Sequence, residues 1–177
     1  MKGVPVLEGR YSNILDMYPL ECKEFNRIYP FYEYLKEGRF TTTKCRECGK
    51  VAYPPRVICP DCYSEDLEWT DLPKRGKVLT VAEKWGGLPI CFTAPLVNAW
   101  IEFPEGSPLK GMYSRLINCE KGQVKEGDAV QLVVFEVPSH PMDKGRDNVM
   151  VNRVFFAFEP VKNSVLQHGA SSIKKAR

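Results

Sequence analysis

Four cysteines in two matched pairs, Cys45-Arg46-Glu47-Cys48 and Cys59-Pro60-Asp61-Cys62, carry the strongest chemical signal in the sequence, with ten residues between the pairs. A C-x-x-C knuckle turns tightly enough to aim two sulfurs at one point, so two knuckles can close a tetrahedron of thiolates around one Zn²⁺. The same four ligands suit iron, and ligand type alone does not separate the two metals. A single C-x-x-C can instead be a redox pair, normally where a helix begins after a strand, but two matched pairs favour metal. With all four coordination positions taken by sulfur, the ion keeps no site for water or substrate, so the expected role is structural. The surrounding segment has few large apolar side chains and would draw on metal binding for its folding free energy.

The other reactive side chains are scattered. Cys22, Cys91 and Cys119 complete the cysteines, and the histidines are His140 and His168. Cys91, in LPICFTAP, and His140 could form a nucleophilic pair. Cys91 equally reads as a half-buried thiol, since free cysteine behaves as a small hydrophobe. No carboxylate pair, P-loop or G-x-G-x-x-G is present, and no catalytic set emerges. Lys84, Trp85, Tyr113 and Arg115 mix basic and aromatic character as a stacking and phosphate-binding face would, although the aromatics could also fill the fold. Arg56, Arg75 and Lys77 fall at the knuckles and just after them, where a phosphate could be clamped or where they are simply solvated.

Composition narrows the class. The 177 residues are 44% hydrophobic and 27% charged, which excludes disorder as the main state. No run approaches the roughly 20 apolar residues of a membrane helix, and the N-terminus lacks a secretory pattern, so the expected location is cytoplasmic. Seven cysteines, an odd number, do not read as a disulfide framework in a reducing compartment. The net charge is +3, but Lys162, Lys174, Lys175 and Arg177 place +4 on the last 17 residues and leave −1 on residues 1–160. Neither a nucleic acid nor a membrane is demanded by that balance.

Positioning four sulfurs requires a scaffold. Residues 1–19 show no sustained period and read as an extended arm. Leu20, Phe25, Ile28, Phe31, Tyr32 and Leu35 have near-helical spacing, and Pro30 divides it into a short helix up to about Ile28 and a second from Pro30, closed by Gly38. Residues 40–72 are cysteine- and proline-rich without helical period. From Gly76 five β segments follow, GKVLTVAEKW, PLVNAWIEF, KGMYSRLIN, AVQLVVFEV and VNRVFFAFEPV, with a long polar loop, SHPMDKGRDN, before the last. The expected fold is mainly β with an N-terminal helical segment: a rubredoxin-like zinc ribbon, then a five-stranded OB-fold barrel. The expected division is 1–39 arm and helices, 40–74 ribbon, 75–161 barrel and 162–177 basic tail.

These residues resemble a known family. Gly38-Arg39, Cys45 to Gly49, Pro54-Pro55-Arg56, Cys59 to Cys62, Leu67 to Trp69 and Gly76 to Val78 follow the pattern of the zinc-ribbon/OB-fold acyl-CoA-associated proteins, long known only as a domain of unknown function. The likeness runs roughly over residues 30–161. It implies an accessory, non-catalytic subunit of a thiolase-type complex, in which a thiolase-fold partner carries the nucleophilic cysteine and acid/base groups. It further implies one structural Zn²⁺ on Cys45, Cys48, Cys59 and Cys62, with coenzyme A or acyl-CoA as ligand of the complex. Arg56, Arg75, Lys77, Lys84, Trp85 and Arg115 are the candidates for touching that ligand. Two other classes stay open: a single-stranded nucleic-acid binding ribbon/OB module, and a stand-alone thioesterase or hydrolase using Cys91 or His140.

Overall fold

The computed structural model describes residues 26–88, 94–144, 147–161 and 174–175. Helix α1 spans Tyr29–Lys36, with Pro30 in its first turn, where no backbone donor is lost. Residues 26–28, expected to end a preceding helix, form a turn in which Asn26 accepts the Tyr29 N–H. The helix closes where Gly38 enters the left-handed region at φ 74°: its N–H donates to the Leu35 carbonyl and that of Arg39 to Tyr34. Phe31 and Leu35, one turn apart, point inward and are buried.

The cysteine-rich segment builds a small antiparallel sheet from β1 (Thr41–Cys45), β2 (Val51–Ala52) and β3 (Leu67–Asp71), in the order β2-β1-β3. The β-branched run Thr41-Thr42-Thr43 suits the central strand, and all three residues are buried. Arg39 fastens the helix exit to the end of β3 by a two-point contact with Asp71, 3.1 Å on each side, while its guanidinium lies 4.4 Å from the Tyr34 ring centre.

Five longer strands follow: β4 (Arg75–Lys84), β5 (Leu96–Glu102), β6 (Gly111–Leu116), β7 (Ala129–Lys144) and β8 (Asp147–Pro160). They hydrogen-bond in the order β4-β5-β6-β8-β7, and β7 returns to β4 through Arg75↔Gln131, Gly76↔Val130 and Lys77↔Ala129. That closes a five-stranded OB-like barrel with one parallel contact, Leu116↔Phe158. At the seam a Cβ on Gly76 would lie 2.5 Å from the Glu102 carbonyl oxygen and 2.6 Å from Ile101 Cγ2. Gly76→Ala is therefore expected to destabilise the chain by about 1–3 kcal/mol, read as a lower urea midpoint.

One expectation is corrected. The described residues of SHPMDKGRDN are strand: β7 extends to Lys144 and β8 begins at Asp147, paired from His140↔Val151 to Lys144↔Asp147. A register shift between Val137 and His140 leaves Pro138 outside the ladder, which is how a strand tolerates proline. A last short strand, β9 (Lys174–Lys175), lies parallel to Phe135–Glu136 of β7.

Helix, ribbon and barrel share one core. Phe40, fully buried, stands at the junction with ring centres 5.2 Å from Phe156, 6.0 Å from Tyr53, 6.2 Å from Phe158 and 6.4 Å from Phe31. Leu72, Val78, Ile101, Met112 and Val130 continue that core into the barrel.

Candidate metal centre

The two knuckles are built alike. Cys45 N–H donates to Lys50 O and Gly49 N–H to Cys45 O; in the second, Cys59 N–H donates to Ser64 O and Tyr63 N–H to Cys59 O. Both turns need a left-handed residue after the second cysteine: Gly49 at φ 73° and Tyr63 at φ 61°. Glycine takes this conformation freely, whereas a bulky side chain takes it at a cost. Equal turns bring four sulfurs together, all within 4.8 Å of one another. Cys45 and Cys62 Sγ are 3.5 Å apart, as are Cys48 and Cys59 Sγ. A zinc tetrathiolate with bonds near 2.3 Å has sulfur–sulfur edges of about 3.8 Å, so the set fits the ion.

The charges of the site call for a cation. N–H groups of Cys62 and Asp61 pointing at the Cys59 sulfur lower its thiol to about 7 against the cost of its burial. The Ser64 N–H acts the same way on Cys62, but burial and the neighbouring sulfurs outweigh it and push that thiol up to about 12. Four adjacent thiolates repel one another unless an ion stands between them. Exposed ion pairs flank the knuckles: Arg46 with Asp66 and Glu68, Lys50 with Asp61, and Arg27 with Glu65. At the surface these add little energy and mainly orient the loops.

The other candidates are dispersed. Arg56 lies on the ribbon, where its N–H donates to Thr43 Oγ1 at 2.8 Å. Arg75 and Lys77 open β4 and are exposed. Lys84 ends β4, roughly 23 Å from Lys77 at the rise of an extended strand, and Trp85 follows it with its ring 4.6 Å from Lys121 Nζ. Arg115 sits mid-barrel, in register with Asn98 of β5. The structure thus groups Arg75 with Lys77 and Lys84 with Trp85, and does not gather all six. Cys119 is buried, and burial raises its thiol. Cys22, Cys91 and His168 lie outside the described residues; His140 is placed only as a β7 position opposite Val151.

Sequence reasoning missed Trp100. It pairs with Tyr113 across β5 and β6, 43% and 60% exposed respectively, with exposed Leu79 at the neighbouring bulge of β4. The signal was available: Ala99 and Ile101 are buried, so strict alternation turns Trp100 outward.

Residues 33–68 match the family described as ChsH2, rubredoxin-like zinc ribbon domain. A DUF35 domain-containing scaffold protein of Methanocaldococcus jannaschii is 31% identical over 123 residues, covering 68% of this chain and 80% of that protein. The chain belongs to the DUF35 family. A second DUF35 scaffold protein, from Methanothermobacter thermautotrophicus, is 28% identical over 127 residues, with 68% and 85% covered. The benzoylsuccinyl-CoA thiolase subunit BbsA of Thauera aromatica is 31% identical over 62 residues, 35% of this chain and 42% of that subunit. Among solved structures the Ltp2-ChsH2(DUF35) aldolase shares the fold, with a TM-score of 0.53 at 23% identity over 76% of this chain and 95% of the matched one. Among the described residues of this DUF35 protein, no helix is long and apolar enough to cross a membrane.

Proposed function

We propose that this DUF35 protein is the non-catalytic, zinc-containing scaffold subunit of a cytoplasmic hetero-oligomer with a thiolase-fold enzyme that makes or breaks C–C bonds in acyl-CoA thioesters. The observation that supports it most is a metal centre closed by four sulfurs, with no ligand position left for substrate, in a chain that matches scaffold proteins over four fifths of their length. Likeness to a thiolase subunit over 62 residues points to the class of partner. In this reading Cys45, Cys48, Cys59 and Cys62 hold one Zn²⁺ that supplies folding energy and no chemistry, and the partner supplies the nucleophile and acid/base groups.

This chain's own part is to bind and orient. Arg56, Arg75 and Lys77 would pair with CoA phosphates at the ribbon end of the barrel, and the β7–β8 ribbon would help exclude water from the acyl group. Arg56→Ala, Arg75→Ala or Lys77→Ala is then expected to raise the apparent KM for acyl-CoA roughly 3- to 10-fold with kcat retained. An unchanged KM in all three removes the phosphate role.

The deciding experiment expresses the tagged chain with its neighbouring genes, identifies what co-elutes, and assays thiolysis with and without this subunit. A stoichiometric thiolase-fold partner whose activity depends on the chain is the expected result. A chain that elutes alone overturns the reading. The exposed Trp100–Tyr113 pair on an OB-like barrel favours a second reading, single-stranded nucleic-acid binding. Absence of oligonucleotide binding at low salt removes it.

A further inference from the structure

We propose that the four-cysteine centre is also an oxidation site, at which hydrogen peroxide forms disulfides across the two knuckles in two successive two-electron steps, Cys45–Cys62 and Cys48–Cys59, and expels the metal. The inference rests on the metal-centre reading above. Its basis is an asymmetry in the four sulfurs. The first cysteine of each knuckle, Cys45 or Cys59, is buried at 1% exposure, and the second, Cys48 or Cys62, is exposed. The two 3.5 Å sulfur–sulfur contacts both run between knuckles, and each joins an exposed cysteine to a buried one. Every exposed thiolate that an oxidant can reach therefore has a sheltered partner within collapse distance. In both 3.5 Å contacts that partner belongs to the other knuckle.

Cys62, held as a thiolate by the bound ion, attacks one oxygen of hydrogen peroxide; the O–O bond breaks, hydroxide leaves, and Cys62 becomes a sulfenic acid. The Cys45 thiolate attacks the Cys62 sulfur; the S–S bond forms, the S–O bond breaks, and a second hydroxide leaves. Two thiolates have lost two electrons, peroxide has gained them, and two protons from solvent complete two waters. With two of four donors spent, the ion is released. A second peroxide closes Cys48–Cys59 by the same route, with Cys48 as the exposed cysteine. Covalent links then replace the metal in tying the second knuckle to β1.

The test uses the zinc-loaded full chain. Peroxide is added at neutral pH, Zn²⁺ release is followed with a chromogenic chelator, and the unreduced, alkylated protein is cleaved after arginine and before aspartate. Arg46 and Asp61 lie between the cysteines of the two knuckles, so this digestion separates all four. The expected result is about one Zn²⁺ released per chain, with Cys45–Cys62 and Cys48–Cys59 peptides, reversal by dithiothreitol plus Zn²⁺, and the same release from Cys119→Ser. Links within a knuckle, over-oxidation of Cys48 and Cys62 without links, retention of metal at millimolar peroxide, or release that requires Cys119 would each overturn it. A chain purified without metal would fail the metal-centre reading instead, and the linkage map of that metal-free chain would still decide the pairing.

Discussion

Cys59→Ser is expected to empty the metal centre and unfold the ribbon while the barrel stays folded. Structural zinc contributes roughly 10–16 kcal/mol to small zinc-binding units, and a missing thiolate forfeits much of that. The ribbon has little to set against the loss. Its β2 strand is two residues long, its distal side chains are exposed, and its flanking ion pairs are solvated. The barrel keeps its own closure through β4–β7 and its own core around Val78, Ile101 and Val130. Hydrogen exchange would read the difference: the amides of Cys45, Gly49, Cys59 and Tyr63 lose protection, and those of Val78 and Ile101 keep it. A chelator should reproduce the pattern in the wild-type chain, and acid should act in the same direction because protons compete with the ion for sulfur. Loss of protection throughout the barrel, or none in the knuckles, would refute this.

What could be read from the sequence was what is local. The knuckles were legible because C-x-x-C spacing fixes a turn regardless of what surrounds it. The five barrel strands were legible because period-2 runs such as Val97, Ala99 and Ile101 alternate over a whole strand. Strands β1 to β3 were not, because their burial comes from the barrel and the helix, and a two-residue β2 has no period at all. The β7–β8 extension was hidden by polar composition, since a hydrogen-bonded ladder does not require apolar side chains. The dispersal of the basic candidates was equally invisible: Lys77 and Lys84 are close in sequence, yet an extended strand carries them to opposite ends of the barrel wall.

Phe40→Ala is expected to cost about 3–5 kcal/mol and lower the melting temperature by roughly 10–15 °C, with Phe40→Leu costing far less. Its side chain joins three parts of the molecule. Its ring meets Phe31 of the helix, Tyr53 of the ribbon, and Phe156 and Phe158 of β8, and its carbonyl accepts the Leu72 N–H where the ribbon hands over to the barrel. Removing the ring leaves a cavity that three elements border and that none can fill alone, because each is held by its own hydrogen bonds: the helix by its C-terminal turn, β8 by the β7 ladder, and Tyr53 by the sheet edge next to it. Phe103→Ala makes the contrast. Phe103 is also buried and packs on Phe158 with tilted rings whose centres are 6.5 Å apart, but it lies within the barrel alone. Both variants should lose stability, and only Phe40→Ala should also loosen the ribbon's amides with the metal still bound. If the two behave alike, the ribbon owes its placement to the Arg39–Asp71 contact and the chain connection rather than to the shared aromatic core.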